Sequence, residues 1–155
     1  MPYTLRPATD ADLPFLKEVF GTTRPELDAL PAAVREPLLA MQFEARRGGY
    51  AAAYPGAADR IVEEDGRSIG RLLVWKAADA TVLVDVALLP GARGGGTGGA
   101  LVRRVIEEAE GRAVRLSVAR DNPAMRLYRR LGFQESGGDE VYATMRFECA
   151  AAPGA

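Results

Sequence analysis

The chain has 155 residues, 48% hydrophobic and 26% charged, with a net charge of −1, no histidine and one cysteine, Cys149. At roughly 150 residues per domain this is a single globular domain, read as residues 1–148 followed by a frayed tail, 149–155, and the near-neutral charge excludes a general pull toward nucleic acid or anionic membrane. The missing imidazole and the lone thiol exclude an internal disulfide, a cysteine- or histidine-built metal centre and Ser-His-Asp chemistry, while no apolar run approaches the roughly 20 residues that span a bilayer; no metal, nucleic-acid or membrane partner is expected, and the location expected is the cytoplasm.

Tyr3–Pro7 reads as a short strand. Asp10 offers a helix cap ahead of Leu13, Leu16 and Phe20, with Gly21 as the stop. Thr22–Pro31 is rich in proline and turn formers, and a second helical pattern runs from Ala32 to Ala53 through Val34, Leu38, Met41 and Ala45. Pro37 and the Gly48-Gly49 pair leave the limits of that helix open. After the Pro55-Gly56 turn, Arg60–Glu63 and Ser68–Lys76 flank Asp65-Gly66, a tight-hairpin dipeptide. Thr81–Leu89 is β-branched and apolar except for Asp85, which suits a central strand covered on both faces. A glycine-rich stretch follows, then a helix carrying Leu101, Val102, Val105, Ile106 and Ala109, stopped by Gly111. Val114–Ala119 is a strand. Asp121-Asn122-Pro123 caps a helix over Ala124–Leu131 that Gly132 ends. Phe133–Ser136 and Val141–Phe147 read as a closing hairpin around Gly137-Gly138, and Ala150–Ala155 as a small-residue tail. The class is therefore α/β (α+β), a mixed, mostly antiparallel sheet of about seven strands flanked by about four helices.

A strand, a glycine-rich turn and a helix start make an anion site, because glycine lets the backbone approach closely and the first helical amides point outward unpaired. Six glycines lie between Gly91 and Gly99, with Arg93 as a cation beside them, and the strand before and helix after argue against a flexible linker. A nucleotide P-loop would need a lysine in the turn, and the two lysines, Lys17 and Lys76, are elsewhere. Gly94, Gly96 and Gly99 satisfy G-x-G-x-x-G literally, but the neighbouring hairpins do not suit two parallel dinucleotide-binding halves.

Pro90-x-x-Arg93-Gly94-x-Gly96-x-Gly98-x-x-Leu101 resembles the acyl-CoA loop of the GCN5-related N-acetyltransferases (GNAT), whose signature is Gln/Arg-x-x-Gly-x-Gly/Ala. Asn122-Pro123-Ala124-Met125-Arg126-Leu127-Tyr128-Arg129-Arg130-Leu131-Gly132-Phe133 resembles the second block of that family, in the same order along the chain. The resemblance implies the GNAT acyl-CoA N-acyltransferase fold, with acetyl-CoA as co-substrate in a gap between the Thr81–Leu89 and Val114–Ala119 strands. Main-chain groups of Val86, Ala87 and Leu88 would pair with the pantetheine arm, an amide near Leu88 polarising the thioester carbonyl. Amides of Arg93, Gly94, Gly95, Gly96, Thr97, Gly98 and Gly99 would take the pyrophosphate, and Asn122 would help to fix the cofactor besides capping its helix. Tyr128, otherwise a core aromatic spaced with Met125 and Leu131, would protonate the departing thiolate.

The family's glutamate on the strand before the Asn block is Ser117 in this chain, so Asp85 is the substitute candidate base, with a salt-bridged or outward role as the alternative. Glu44, Glu63 and Glu64 could act only through water. The acceptor pocket is expected from Gly21–Pro55, with Met41, Phe43, Tyr50, Tyr54 and nearby Trp75, and Arg103, Arg104, Arg126, Arg129 and Arg130 are candidates for the 3′-phosphate of CoA. The activity implied is acetyl transfer from acetyl-CoA to a primary amine of a small molecule or peptide by direct attack, because Cys149 is not placed for a covalent relay. A catalytically weak acyl-CoA-binding sensor or interaction module is the alternative; a homodimer is left open.

Overall fold

The structure, a computed structural model, describes residues 2–149. The expected frayed tail from Ala150 onward lies outside the described residues. Seven strands, β1 (Thr4–Pro7), β2 (Ala58–Glu64), β3 (Arg67–Lys76), β4 (Thr81–Leu88), β5 (Val114–Ala119), β6 (Gln134–Gly138) and β7 (Tyr142–Phe147), form a sheet in the order β1-β2-β3-β4-β5-β7-β6. Four helices accompany them: α1 (Leu13–Gly21), α2 (Ala32–Ala53), α3 (Thr97–Glu108) and α4 (Ala124–Arg130). Pairing is antiparallel for β1–β2, β5–β7 and β6–β7, and parallel for β4–β5 over three pairs, Thr81↔Val114, Val82↔Arg115 and Leu83↔Leu116. Among the described residues no helix is long and apolar enough to cross a membrane.

Contacts divide the chain into two compact units, one of residues 2–73 with 85–97 and one of 74–84 with 98–149, so β3 and β4 each run from one unit into the other. In the first, Leu16, Phe20, Phe43 and Ile61 form a buried cluster, joined by Leu13, Phe15 and Leu39. Asp65 and Gly66 both take positive φ (53° and 76°), the backbone that a two-residue hairpin with matching strand twist requires. In the second unit Leu101, Val102 and Val105 of α3 and Val114 of β5 are fully enclosed, as is Met145 of β7.

Four local readings need correction. Asp10 is not the cap: Asp10–Asp12 is a 3-10 turn, and the Asp12 carboxylate accepts the Thr9 N–H (2.8 Å) just before α1. The inner face of α2 is not Val34-Leu38-Met41-Ala45, since Val34 (52%) and Met41 (63%) are exposed and Phe43 is buried. The inward stripe is Leu39, Phe43, Arg46 and Tyr50, and α2 runs through Pro37 and the glycine pair for 22 residues. Its far end is held by Tyr50, whose ring is covered by the Arg46 and Arg71 guanidinium groups at 5.4 and 5.7 Å. β4 is buried over Thr81–Leu83 but half-buried from Val84 to Ala87, so only its first half is covered on both faces. The last hairpin turns at Asp139, whose carboxylate accepts the Val141 and Tyr142 amides (2.8 and 2.7 Å), leaving Gly137 and Gly138 inside β6.

Candidate active site

In the first unit, β4 ends at Leu88, the Leu89 amide bonds to the Ile69 carbonyl (2.8 Å), and Pro90–Ala92 makes a 3-10 turn before the glycine loop. Gly94 and Gly96 adopt φ of +86° and +88°, a left-handed backbone that only glycine takes without strain, and a Cβ on Gly91, Gly94, Gly95 or Gly96 would meet open space. The loop thus presents its backbone without side chains in the way, which fits an anion such as a pyrophosphate. Thr97 is buried and starts α3.

Arg93 is placed differently from the expectation. Its amide closes the turn onto the Pro90 carbonyl (3.2 Å), its Nε donates to the Leu88 carbonyl (2.9 Å) and its Nη2 to Thr22 Oγ1 (3.2 Å). The side chain braces the end of β4 against α1 instead of standing over the loop, and the Leu88 carbonyl already has a donor. The Leu88 amide is unaffected by that bond.

Gly70 of β3 explains how the end of β4 is seated. A Cβ there would run into the Ala87 carbonyl and lie 2.6 Å from the Leu88 side chain, so the two strands approach as only glycine allows. Sequence reading passed over Gly70; a glycine inside an apolar strand is its only trace.

Asp85 lies in an ionic cluster built from three strands and α2. Arg71 of β3 grips Asp59 of β2 with two bonds, Nε to Oδ1 and Nη2 to Oδ2, both 2.9 Å. Its third nitrogen, Nη1, stops 3.7 Å from Asp85 Oδ2, beyond hydrogen-bond range. The Arg71 side chain is 10% exposed and that of Asp85 22%. Burial pushes the Asp85 carboxyl above the usual range, against the opposing pull of Arg71 and Arg46. Burial, and then the nearby Asp85, raise the Tyr50 phenol to about 12. The salt-bridged alternative for Asp85 is therefore met only in loose form. Asp59 and Arg71 were not foreseen, although an arginine at the head of the apolar run Leu72–Val74 and an aspartate inside β4 are complementary anomalies.

Of the acceptor candidates, Phe43 is core and Met41 is exposed, while Tyr50 and Tyr54 are ring neighbours (6.2 Å). A cavity of about 530 Å³ is lined partly by the expected acceptor segment, through Thr22, Arg24, Asp28 and Arg35, and partly by residues outside it, Lys17 and Glu18 of α1 among them. Glu44 pairs with Arg47 (2.8 Å) and Glu63 with Arg6 (3.1 Å), which occupies both as ordinary ion-pair partners.

In the second unit, Gly98 and Gly99 face Leu127 of α4, at 4.0 and 3.5 Å from where a Cβ would stand. Asn122 Oδ1 accepts the Ala124 amide (2.9 Å) and its carbonyl the Met125 amide (3.1 Å), so its capping role is present and its side-chain NH2 is what it can offer elsewhere. Tyr128 is buried, its ring 5.7 Å from Phe133, which stands 5.6 Å from Phe147. Its carbonyl accepts the Phe133 amide (3.0 Å), so the Leu-Gly-Phe block folds the chain back over the helix end. Ser117 is exposed and opposite Thr144. Arg103, Arg104, Arg126, Arg129 and Arg130 are all exposed; Arg104 pairs with Glu108 (3.3 Å), and Arg129 lies 3.9 Å from Glu135.

A strand running into an open glycine turn and a helix start, with the Asn-to-Phe block after it, is matched by the family model for the acetyltransferase (GNAT) domain over residues 58–135. The chain belongs to the GNAT acetyltransferase family. A Bacillus subtilis (strain 168) protein provisionally named ribosomal protein bS18-alanine N-acetyltransferase is 32% identical over 88 residues, 54% of this chain and 58% of that protein. The match thus spans little more than half the length of that curated relative. The crystal structure of the PaiA N-acetyltransferase of Thermoplasma acidophilum, in complex with coenzyme A, has the same fold (TM-score 0.71, 19% identity, 96% of this chain and 99% of that one). So does a protein of Corynebacterium glutamicum ATCC 13032 described as histone acetyltransferase HPA2 and related acetyltransferase (TM-score 0.68, 26% identity, 98% and 99%). Membership of the GNAT family, with its mostly antiparallel sheet, removes the dinucleotide reading of Gly94, Gly96 and Gly99.

Proposed function

We propose that this GNAT protein transfers the acetyl group of acetyl-CoA to a primary amine of a small molecule or peptide by direct attack, in the cytoplasm. The observation that carries the reading is the open glycine turn, with left-handed Gly94 and Gly96, leading from β4 into α3. Amides of Gly94 to Gly99 would hold the pyrophosphate, Asn122 would add a side-chain donor, and Arg93 would act as a brace on Leu88. The β4–β5 ladder ends at Leu83↔Leu116, which leaves Val86, Ala87 and Leu88 as the part of β4 to pair with a pantetheine arm.

In this reading Asp85 takes a proton from the incoming ammonium, the neutral nitrogen attacks the thioester carbon, and the Leu88 amide steadies the oxyanion. The carbon–sulfur bond then breaks, the Tyr128 hydroxyl passes its proton to the leaving thiolate, the second proton lost by the attacking nitrogen restores the Tyr128 phenol, and the proton on Asp85 goes to solvent. Desolvation of Asp85 supports its role, since a raised carboxyl is a better match for taking a proton from an amine.

The test is CoA-thiol release from acetyl-CoA across a panel of polyamines, amino acids and peptides, among them a peptide beginning with alanine. Release with at least one acceptor, reduced about 100-fold or more in Tyr128→Phe with acetyl-CoA binding intact, supports the reading. Ser117, where family members resembling this one carry a glutamate, favours the second reading, an acyl-CoA-binding sensor or interaction module. Tight acetyl-CoA binding without release across the panel would establish that instead.

A further inference from the structure

Arg71 has five N–H donors and two carboxylates within reach, yet it treats them unequally. Asp59 receives a two-pronged grip at 2.9 and 2.9 Å, and Asp85 is held 3.7 Å away. A full fork to Asp85 would saturate its oxygens and fix it as an anion, a poor proton acceptor. Resting on the acetyl-transfer reading above, we propose that Asp59 is a positioning residue that anchors Arg71 away from Asp85 and so preserves the proton-accepting capacity of Asp85.

The groups facing Asp85 come from three elements: Arg71 on β3, Asp59 on β2, and Arg46 with Tyr50 on α2. Arg46 and Arg71 lower its proton affinity and Asp59 raises it, so Asp59 acts twice, by its own charge and by occupying the guanidinium. Tyr50 lies against both guanidinium groups and limits where Arg71 can swing. The Asp85 side chain keeps 22% exposure, enough for a proton to reach it.

The experiment is a carboxyl-carbon NMR titration of full-length protein labelled with 13C-aspartate, the Asp85 signal being identified by its loss in Asp85→Asn. In Asp59→Asn the Asp85 midpoint is expected to move to lower pH by about one unit, a tenfold weaker hold on the proton. In Arg71→Gln it is expected to move the opposite way. Asp59→Glu, which keeps the charge but breaks the fork, should shift it downward by less and serves if Asp59→Asn does not fold. Opposite shifts support the proposal, because loosened packing would move both variants alike. An unmoved midpoint in Asp59→Asn, or the same direction in both variants, overturns it. Thiol release by Asp85→Asn, with the acceptor found in the panel, separates this from the reading beneath it: full activity dismisses Asp85 as the base, whatever the titration says of Asp59.

Discussion

Two aspartates in the first unit sit beside arginines and meet opposite fates. Asp12 accepts two bonds from Arg6, at 2.7 and 2.9 Å, and the Thr9 amide at 2.8 Å. These bonds hold its carboxyl well below the usual range, the Arg6 contact first and the Thr9 amide second. Asp85 also has an arginine beside it, but Arg71 stops 3.7 Å away because it is committed to Asp59, and desolvation pushes the carboxyl up. The neighbour's charge is the same in both places. What differs is whether the guanidinium hydrogens point at the carboxylate, and that separates a structural cap from a candidate base.

The sharpest way to break this contrast is Arg71→Gln, which leaves two part-buried carboxylates without their shared cation and should cost about 3–5 kcal/mol in denaturant unfolding. A loss under 1 kcal/mol would mean the cluster is solvated in practice. Next, Asp85→Asn should lower turnover about 100-fold, and Asp12→Asn should leave it intact. Equal effects of the two substitutions on thiol release would erase the distinction. Gly70→Ala, which forces a methyl against the Ala87 carbonyl, should cost about 1–3 kcal/mol and weaken acetyl-CoA binding measured by calorimetry, because it displaces the end of β4.

The smallest effect concerns pH, and the signs are opposite. For Asp12 the folded carboxyl lies below its unfolded value, so its stabilisation is complete at neutral pH and is lost as pH falls through the depressed folded value. For Asp85 the folded value lies above the unfolded one, so the native state binds the extra proton, and stability falls as pH rises through that window. Asp12→Asn should cost about 1 kcal/mol at neutral pH, mostly as the lost ion pair with Arg6 because an amide oxygen can still accept the Thr9 N–H, and should flatten the acid limb of stability against pH. Asp85→Asn should remove the decline above the ordinary carboxyl range. Thermal melts across pH for the two variants check both, and identical profiles would contradict them.

The element order, the hairpin at Asp65-Gly66, the glycine turn and the Asn-to-Phe block were all legible along the chain, because each depends on backbone preferences and spacing within a few residues. Tyr128 was placed on its helix but not among its neighbours. The face of α2 was misread because its inward stripe carries Arg46 and Tyr50, polar residues that packing sets against Phe20 of α1 and Arg71 of β3. Likewise Asp85 stood out as an anomaly in an apolar strand, yet its protonation depends on Asp59 and Arg71, 26 and 14 residues earlier. Local chemistry settled which elements form; only the folded sheet decided where each charge points, since hydrogen-bond direction and desolvation exist only once distant strands are side by side.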